Sequence, residues 1–561
     1  MEILERFHQI VNDEWEFRLK FDPLFATLAG DQRYNDRLAH ITPADWENHL
    51  STLKGFRQRL AVIEPQSLPD AEQVNYALFH RLLNDAIRED EFGAYFLPLS
   101  KTGGMHMEFP ELFNYMPLES QVDYENYLAR LYDFRRYTGE LIELLKEGLR
   151  RGYYPPAYSQ EGVFESIEMQ IVSTAEDSPL YQPFKTFPEG FSATERQRLV
   201  KAAQVAIMGS VTPAFRELGA WIQETYEPAC RSSIAAADLP DGQRFYAHRV
   251  QMYTTLDLSP EQVHATGLDE VRRIRAEMVE LVEQAGFKSN FSGFIEFLRS
   301  DARFYATSAE GLLAHTALVL KRIEGELPRL FKTLPRSPYG IREIPAYSAP
   351  GNTTAYYFPP AGEGSRAGFY YVNTYDLPSR PLYEIEALSL HEAVPGHHLQ
   401  IALQQELGEL PNFRRFYDAT AYIEGWALYA ERLGLEMGFY QDPYSNFGRL
   451  SYEMWRACRL VVDTGMHALG WTRQQAIDFM AENTSSTLLN IINEVDRYIF
   501  WPGQALAYKI GELKIRQLRA RAEAALGERF DLRLFHDLLL GSGAVPLDIL
   551  DKMVSNWIQA N

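Results

Sequence analysis

The sequence predicts a mainly helical fold with a small β-hairpin or sheet. Three observations lead there. Apolar residues recur at spacings of three and four along most of the 561 residues. Helix-entry signals precede several of these runs. One stretch, from Ile341 to Tyr375, breaks the pattern with two short aromatic and apolar runs.

In chain order, Thr42-Pro43-Ala44-Asp45 opens a helix, with Thr42 placed to cap it and Pro43 in the first turn. From Tyr124 to Leu149 the apolar stripe runs through Leu128, Leu131, Tyr132, Leu141, Leu144 and Leu145, and Gly152 and Pro155-Pro156 end it. Ser259-Pro260-Glu261-Gln262 starts another helix, which continues to about Ala285. Helical spacing also covers 193–226, 308–333, 385–407, 413–437, 445–469, 473–483, 503–526 and 546–559. Thr354–Phe358 and Gly368–Val372, punctuated by Pro359-Pro360, Gly362 and Gly364, read as the two strands of the hairpin. A strand in that position could pair with the main chain of an extended ligand, or simply cover the helices. No linker of low complexity divides the chain. Two lobes are expected, 1–235 and 236–561.

Composition narrows the function. There are 76 acidic against 55 basic residues, a net charge of −21, which repels nucleic acid. Two cysteines, Cys230 and Cys458, make no disulfide framework. Acidic residues at Glu2, Glu5, Asp13 and Glu14 interrupt the first segment, so Met1 is not followed by a signal-peptide core. No apolar run reaches the ~18 residues of a membrane span. The expectation is a cytoplasmic protein that binds neither nucleic acid nor membrane.

The most informative segment is Ala387-Leu-Ser-Leu-His391-Glu392-Ala-Val-Pro395-Gly396-His397-His398-Leu-Gln400. It holds three of the thirteen histidines within eight residues, with Glu392 directly after the first. Imidazole and carboxylate are good zinc ligands. A glutamate beside a ligating histidine can take the proton of a water whose pKa the metal lowers to about 7. The usual zinc-hydrolase spacing puts the two histidines at i and i+4. Here His397 is six residues from His391 and His398 is seven. Six residues of regular helix turn about 600°, so His397 would point away. Seven restore the face but separate the rings by about 10 Å along the axis. Pro395-Gly396 offers a remedy: proline deletes a helix hydrogen bond and glycine frees the backbone, so two residues can loop out and return His397 to His391. A zinc site needs a third protein ligand. The candidates are Glu424 and Glu431, one face of an apolar segment, Tyr422 to Glu431. Glu424 is favoured as the ligand. Glu431 would then orient a ligating histidine from behind, a role also open to His398 if His397 ligates.

At these residues the chain resembles a bacterial family of unknown function marked by H-E-x-x-P-G-H and a following E-G-W-A helix. The resemblance extends over most of the chain, including Gly30-Asp-Gln-Arg-Tyr-Asn-Asp36, Asp463-Thr-Gly-Met-His467, and Arg497-Tyr498 through Pro502-Gly-Gln504 to Tyr508. More distantly it is similar to helical zinc peptidases whose third ligand is glutamate (gluzincins), such as angiotensin-converting enzyme, thimet oligopeptidase and thermostable carboxypeptidases. That similarity implies a helical metallopeptidase-like fold with a central cleft and the sheet beside the active site. It also implies a tyrosine that donates to the oxyanion, with Tyr498 and Tyr508 as candidates and His467 as a further donor. Arg497 and Lys509 are possible anchors for a substrate carboxylate.

The expected protein is therefore a zinc metallopeptidase of short peptides. Zinc sits on His391, His397 and Glu424, with Glu392 as general base. The alternatives are a zinc hydrolase of a non-peptide amide or ester, and a non-catalytic metal-containing binding protein.

Overall fold

Hydroxyl side chains at helix entrances organise much of the chain. In the computed structural model, which describes residues 3–288, 290–346, 349, 353–361, 366–408 and 410–561, five entrances carry a reciprocal capping box: Thr42 with Asp45, Ser120 with Asp123, Ser192 with Glu195, Ser259 with Gln262, and Thr472 with Gln475. Each satisfies two backbone N–H groups that a helix start leaves open. Met1, Glu2, Gly362 and Gly364, which figure in the reading above, lie outside the described residues.

The chain divides into two compact units, Met1–Phe245 and Tyr246–Asn561. The first is built from α1 (Ile3–Phe21), α2 (Pro43–Leu60), α3 (Asp70–Glu91), α4 (Gln121–Arg151), α5 (Ala193–Ala206) and α6 (Thr212–Trp221), with shorter turns between them. Its core is apolar and aromatic: Leu128, Leu131, Phe134, Leu141 and Leu145 of α4 pack with Phe109, Phe184, Ala203, Phe215 and Tyr226. Gly152 ends α4 with φ +92°, as its position after the last apolar residue foretold. The helix expected over 193–226 is not uniform. Ile207–Val211 and Ile222–Tyr226 are wider π turns, which leave α5 and α6 as separate α segments.

The second unit contains α7 (Pro260–Gln284), α8 (Phe291–Ser300), α9 (Ala309–Leu330), a three-stranded sheet, α10 (Ile385–Glu392), α11 (His397–Glu406), α12 (Thr420–Leu433), α13 (Pro443–Ala468), α14 (Arg473–Asn483), α15 (Leu488–Phe500), α16 (Ala507–Leu526), α17 (Leu532–Leu540) and α18 (Leu547–Ala560). In the sheet, β1 (Tyr339–Glu343) runs parallel to β3 (Gly368–Val372), and β2 (Ala355–Phe358) runs antiparallel to it, in the order β1-β3-β2. The β2–β3 pair is the expected hairpin, with Tyr357 opposite Tyr370. The third strand was not foreseen, because Tyr-Gly-Ile-Arg-Glu is short and mixes charge with a glycine. The helix expected over 413–437 begins only at Thr420, after a single turn at Asn412–Arg415. Helix α15 was also missed. Exposed Leu488 and Leu489 blur an apolar stripe whose inner side is Ile491, Val495, Tyr498 and Ile499.

No helix among the described residues is long and apolar enough to cross a membrane.

Candidate metal centre

The histidine segment is two helices rather than one bulged helix. Helix α10 ends at Glu392, where Ala393 leaves helical geometry with φ −105° and ψ −105°. Helix α11 starts at His397, after a turn holding a cis Val394–Pro395 peptide. Three contacts hold this turn. The His398 amide donates to the Ala393 carbonyl at 3.0 Å. The Trp426 indole Nε1–H donates to the Pro395 carbonyl at 2.8 Å. Gly396 lies so close to the end of α10 that a Cβ there would stand 1.8 Å from the His391 carbonyl oxygen, a space only glycine fits.

The turn places the two rings edge to face, with centroids 4.8 Å apart. Helix α12 supplies the third group. Its position is set by a crossing with α16 at Gly425 and Gly511, where a Cβ on Gly425 would come within 2.5 Å of the Gly511 backbone. That close approach, rather than helical phase alone, seats Glu424 beside the histidines. Glu424 Oε2 lies 3.6 Å from His391 Nε2 and 3.7 Å from His397 Nε2. The candidate ligand atoms of His391, His397 and Glu424 all lie within 4.8 Å of one another. Tetrahedral zinc with bonds of about 2.0–2.2 Å separates its ligand atoms by about 3.4 Å, so the cluster is close to that shape.

Charge in the cluster is strongly biased. Burial pushes the His391 imidazole down, but Glu424 and Glu431 outweigh it and hold the pKa at about 9. Glu431 Oε1 meets His391 Nδ1 at 2.8 Å and lies 3.5 Å from Arg456 Nη2. Burial depresses His397 to about 4. Burial raises Glu424, but the two histidines overcome it and bring the carboxyl to about 2. Glu424 Oε2 and His397 Nδ1 are nevertheless buried without a hydrogen-bond partner. A buried carboxylate oxygen left open between two imidazole nitrogens is costly unless a cation completes it. The donor set therefore fits a divalent metal of the zinc type. Glu392, at the end of α10, is raised to about 7 by burial, with His391 pulling it down and Glu424 pushing it up.

The other predicted residues separate. His398 is turned away from the cluster: Nδ1 meets the Tyr357 hydroxyl at 2.7 Å and Nε2 the Ser337 carbonyl at 3.1 Å, so the ring ties α11 to β2. Tyr498 is fully buried, and its hydroxyl is committed, accepting from Arg459 Nε at 2.9 Å and donating to Glu494 at 2.6 Å. Tyr508 is only partly buried and lies near enough to Glu424 for that charge, after burial, to raise its phenol pKa. Arg497 is engaged by Glu494 at 3.0 Å and Gln504 at 2.6 Å. Two expectations give way. His467 is fully buried on α13, eight residues or about 12 Å beyond Arg459, with Nε2 on the Tyr498 carbonyl at 2.8 Å. Lys509 is wholly buried among Glu453, Glu512 and Glu270, 2.7 to 2.9 Å away, and is an internal counter-ion.

Three site residues were not anticipated. Arg456 and Arg459, one turn apart on α13, flank the cluster. Arg459 covers the Tyr508 ring at 4.2 Å, and its charge helps keep Glu424 ionised. Tyr370 of β3 is fully buried near Glu392, and burial and that carboxyl both raise its pKa. The available signal was Trp455-Arg-Ala-Cys-Arg459, two guanidiniums inside an apolar helix, which demand anionic or aromatic partners.

A family model described as "Bacterial protein of unknown function (DUF885)" matches residues 23–554. This chain belongs to the DUF885 family. No curated protein matches it. Among the solved structures that resemble it are the following two. One, described as the "putative lipoprotein from Colwellia psychrerythraea", is 29% identical with a TM-score of 0.92, over 100% of both chains. The other, a "putative lipoprotein of unknown function from Shewanella oneidensis", is 17% identical with a TM-score of 0.76. It covers 98% of this chain and 99% of its own, and shares the fold.

Proposed function

We propose that this protein is a zinc-dependent peptidase of short peptides. The observation that carries the reading is Glu424 Oε2, buried without a hydrogen-bond partner and facing the Nε2 atoms of His391 and His397. The similarity to helical zinc peptidases with a glutamate ligand, including a metallopeptidase-like fold around a central cleft, belongs to the same proposal.

His391, His397 and Glu424 would hold the ion, and Glu431 would fix the His391 ring through Nδ1. Zinc held there supplies Lewis acidity toward a water and a scissile carbonyl. Glu392 adjoins the cluster with a pKa raised to about 7, suited to taking a proton and returning it to the leaving amine. Tyr508, with Arg459 over its ring, would donate to the oxygen that gains charge. For location, the cytoplasm is retained as the proposal. The lipoprotein descriptions of the two neighbours favour an envelope-attached protein instead, and cell fractionation decides between them.

The test is elemental analysis joined to a peptide screen. We expect about one zinc per chain, absent in His391→Ala. Glu392→Gln should keep the metal but lose turnover by about 10²-fold or more. Protein that takes up no divalent metal, or a Glu392→Gln rate within a few-fold of wild type, removes the reading. Turnover confined to small amides or esters replaces peptidase by another zinc hydrolase.

A further inference from the structure

Helix α13, whose Arg456 and Arg459 flank the metal cluster, also borders a cavity of about 330 Å³. Its lining includes Arg299, Arg380, Glu384, Tyr452 and Trp455. Tyr452 and Trp455 belong to α13, and the intervening Arg456 stacks on both, at 4.6 and 4.8 Å, while reaching Glu431 behind His391. Trp455 also lies under Arg459, which covers Tyr508 on its other side. The cavity and the metal cluster therefore share one helical wall.

Two buried N–H donors of the lining, Arg380 Nε and Trp455 Nε1, lack an acceptor. Among the described residues, neither Arg299 nor Arg380 forms an ion pair. Arg299 is exposed and Arg380 half-buried, whereas several buried arginines of α13 are ion-paired, among them Arg449, Arg456 and Arg459. Arg299 is held in place by carbonyls alone, those of Ser485 at 2.7 Å and Ser486 at 2.8 Å, so its charge is fixed but not neutralised. Arg380 Nη1 donates only to the Ser379 carbonyl, at 3.3 Å, and its Nε–H is buried without a partner. The Trp455 indole Nε1–H is likewise buried and unpartnered. Two carboxyl groups also line the space. Asp376 is exposed at its edge. Burial raises Glu384 to about 7, against the pull of Arg456 and Arg380, so it is a weak counter-charge at neutral pH. Unpaired guanidiniums with idle N–H donors are the complement of a carboxylate, which accepts in a plane and carries the missing charge.

We propose that this cavity binds a carboxylate of the substrate, through Arg380 and Arg299, and holds the chain against α13 for reaction at the neighbouring cluster. The molecule carrying the carboxylate follows from the peptidase reading, and the carboxylate preference itself does not. The group could be a free C-terminus or an acidic side chain, and the test separates the two.

Full-length protein, treated with chelator so that the result does not depend on metal, is titrated calorimetrically with three probes. These are N-acetyl-trialanine with a free C-terminus, the same peptide as its C-terminal amide, and N-acetyl-Ala-Glu-Ala amide. We expect one or both acids to bind at least about tenfold more tightly than the neutral amide, a margin of ~1.4 kcal/mol. Tighter binding by the first peptide identifies a terminal carboxylate, and by the third a side chain. Arg380→Gln should reduce the preference to within about twofold. Arg299→Gln should weaken it as well, and thermal melts check that Ser485 and Ser486 have stayed in place. Acids that bind no better than the amide, or a preference that survives both substitutions, overturn the proposal. A protein that prefers the acids yet holds no zinc keeps the cavity reading and loses only the catalytic one.

Discussion

The two units of this chain differ in the charge they bury. In Met1–Phe245 the centre is a run of Leu, Phe, Tyr and Ala side chains around α4, and the fully buried Arg130 gives its Nε and Nη2 donors to the carbonyls of Pro23, Tyr34 and Arg37 and the Thr27 hydroxyl, forming no ion pair among the described residues. In Tyr246–Asn561 the central helix α13 is charged on its buried side, through Arg449, Glu453, Arg456, Arg459 and Asp463. The first four pair with one another or with Glu431, Glu494, Lys509 and Arg273, while Asp463 accepts from the Tyr246 hydroxyl and the Gly503 amide. Replacing buried ion pairs by apolar groups is often neutral or stabilising, so a unit that retains so many is using them for something besides stability. Two of these charged residues, Arg456 and Arg459, flank the candidate metal centre. The lesson is that apolar area holds both units together, while one of them adds a buried charge network beside its candidate chemistry.

The comparison can be broken most sharply at Gly396. Gly396→Ala drives a Cβ into the His391 carbonyl, backbone against backbone. We expect a loss of several kcal/mol together with the metal, because the turn that carries both histidines cannot relax. Chemical denaturation and zinc content measured on the same sample check this, and an alanine variant with wild-type metal content would show that the turn is not what joins the rings. Next in size is Leu131→Ala, wholly buried in the first unit. It should cost about 2–5 kcal/mol and leave zinc per folded chain unchanged. A metal deficit in that variant would mean that the first unit's packing and the second unit's candidate chemistry are not separate.

Acid should act on both units alike. His106 in the first unit is held down to about 4 by burial, and His536 in the second to about 3, chiefly by burial. Both lie below the unfolded value of 6.5, so the unfolded chain binds more protons once the pH falls under that value. Stability is full above pH 6.5 and declines as pH drops toward 4 and 3, by at most about 1.4 kcal/mol per pH unit for each ring. His536→Gln should flatten the acid limb of a melt series, and an unchanged limb would remove that histidine as a cause. The smallest effect is expected at Gly139 of α4, where a Cβ meets nothing within 4 Å. Gly139→Ala should stabilise by about 0.5–1 kcal/mol, the helical cost of glycine.

The sequence made some parts of this legible and hid others, for physical reasons. Capping residues mark helix starts locally, so Thr42, Ser259 and the end of α4 at Gly152 could be read directly. The identities of His391, His397 and Glu424 as a group followed from their chemistry. Their meeting point did not, because it depends on the break between two helices at Ala393–Gly396 and on a Gly425–Gly511 crossing between segments far apart in sequence. Tyr498 and Tyr508 looked equivalent along the chain. Only packing distinguishes them, since Arg459 and Glu494 absorb the Tyr498 hydroxyl. Lys509 looked like a free anchor because the carboxylates that enclose it come from three other positions, Glu270, Glu453 and Glu512.

The hydrogen bond from the Trp426 indole to the Pro395 carbonyl has a kinetic consequence. Trp426 is two residues from Glu424, and Pro395 is two residues from His397, so this one bond clamps together the backbones of two prospective ligands. An ion seated between them could not leave by the swing of a single side chain. The indole must first release the turn, in the middle of a core where it is wholly enclosed. Metal exchange would then proceed at the pace of that local opening. The hydrogen–deuterium exchange of the Trp426 indole proton would serve as its clock, slow in the loaded protein and quickened once the ion is withdrawn.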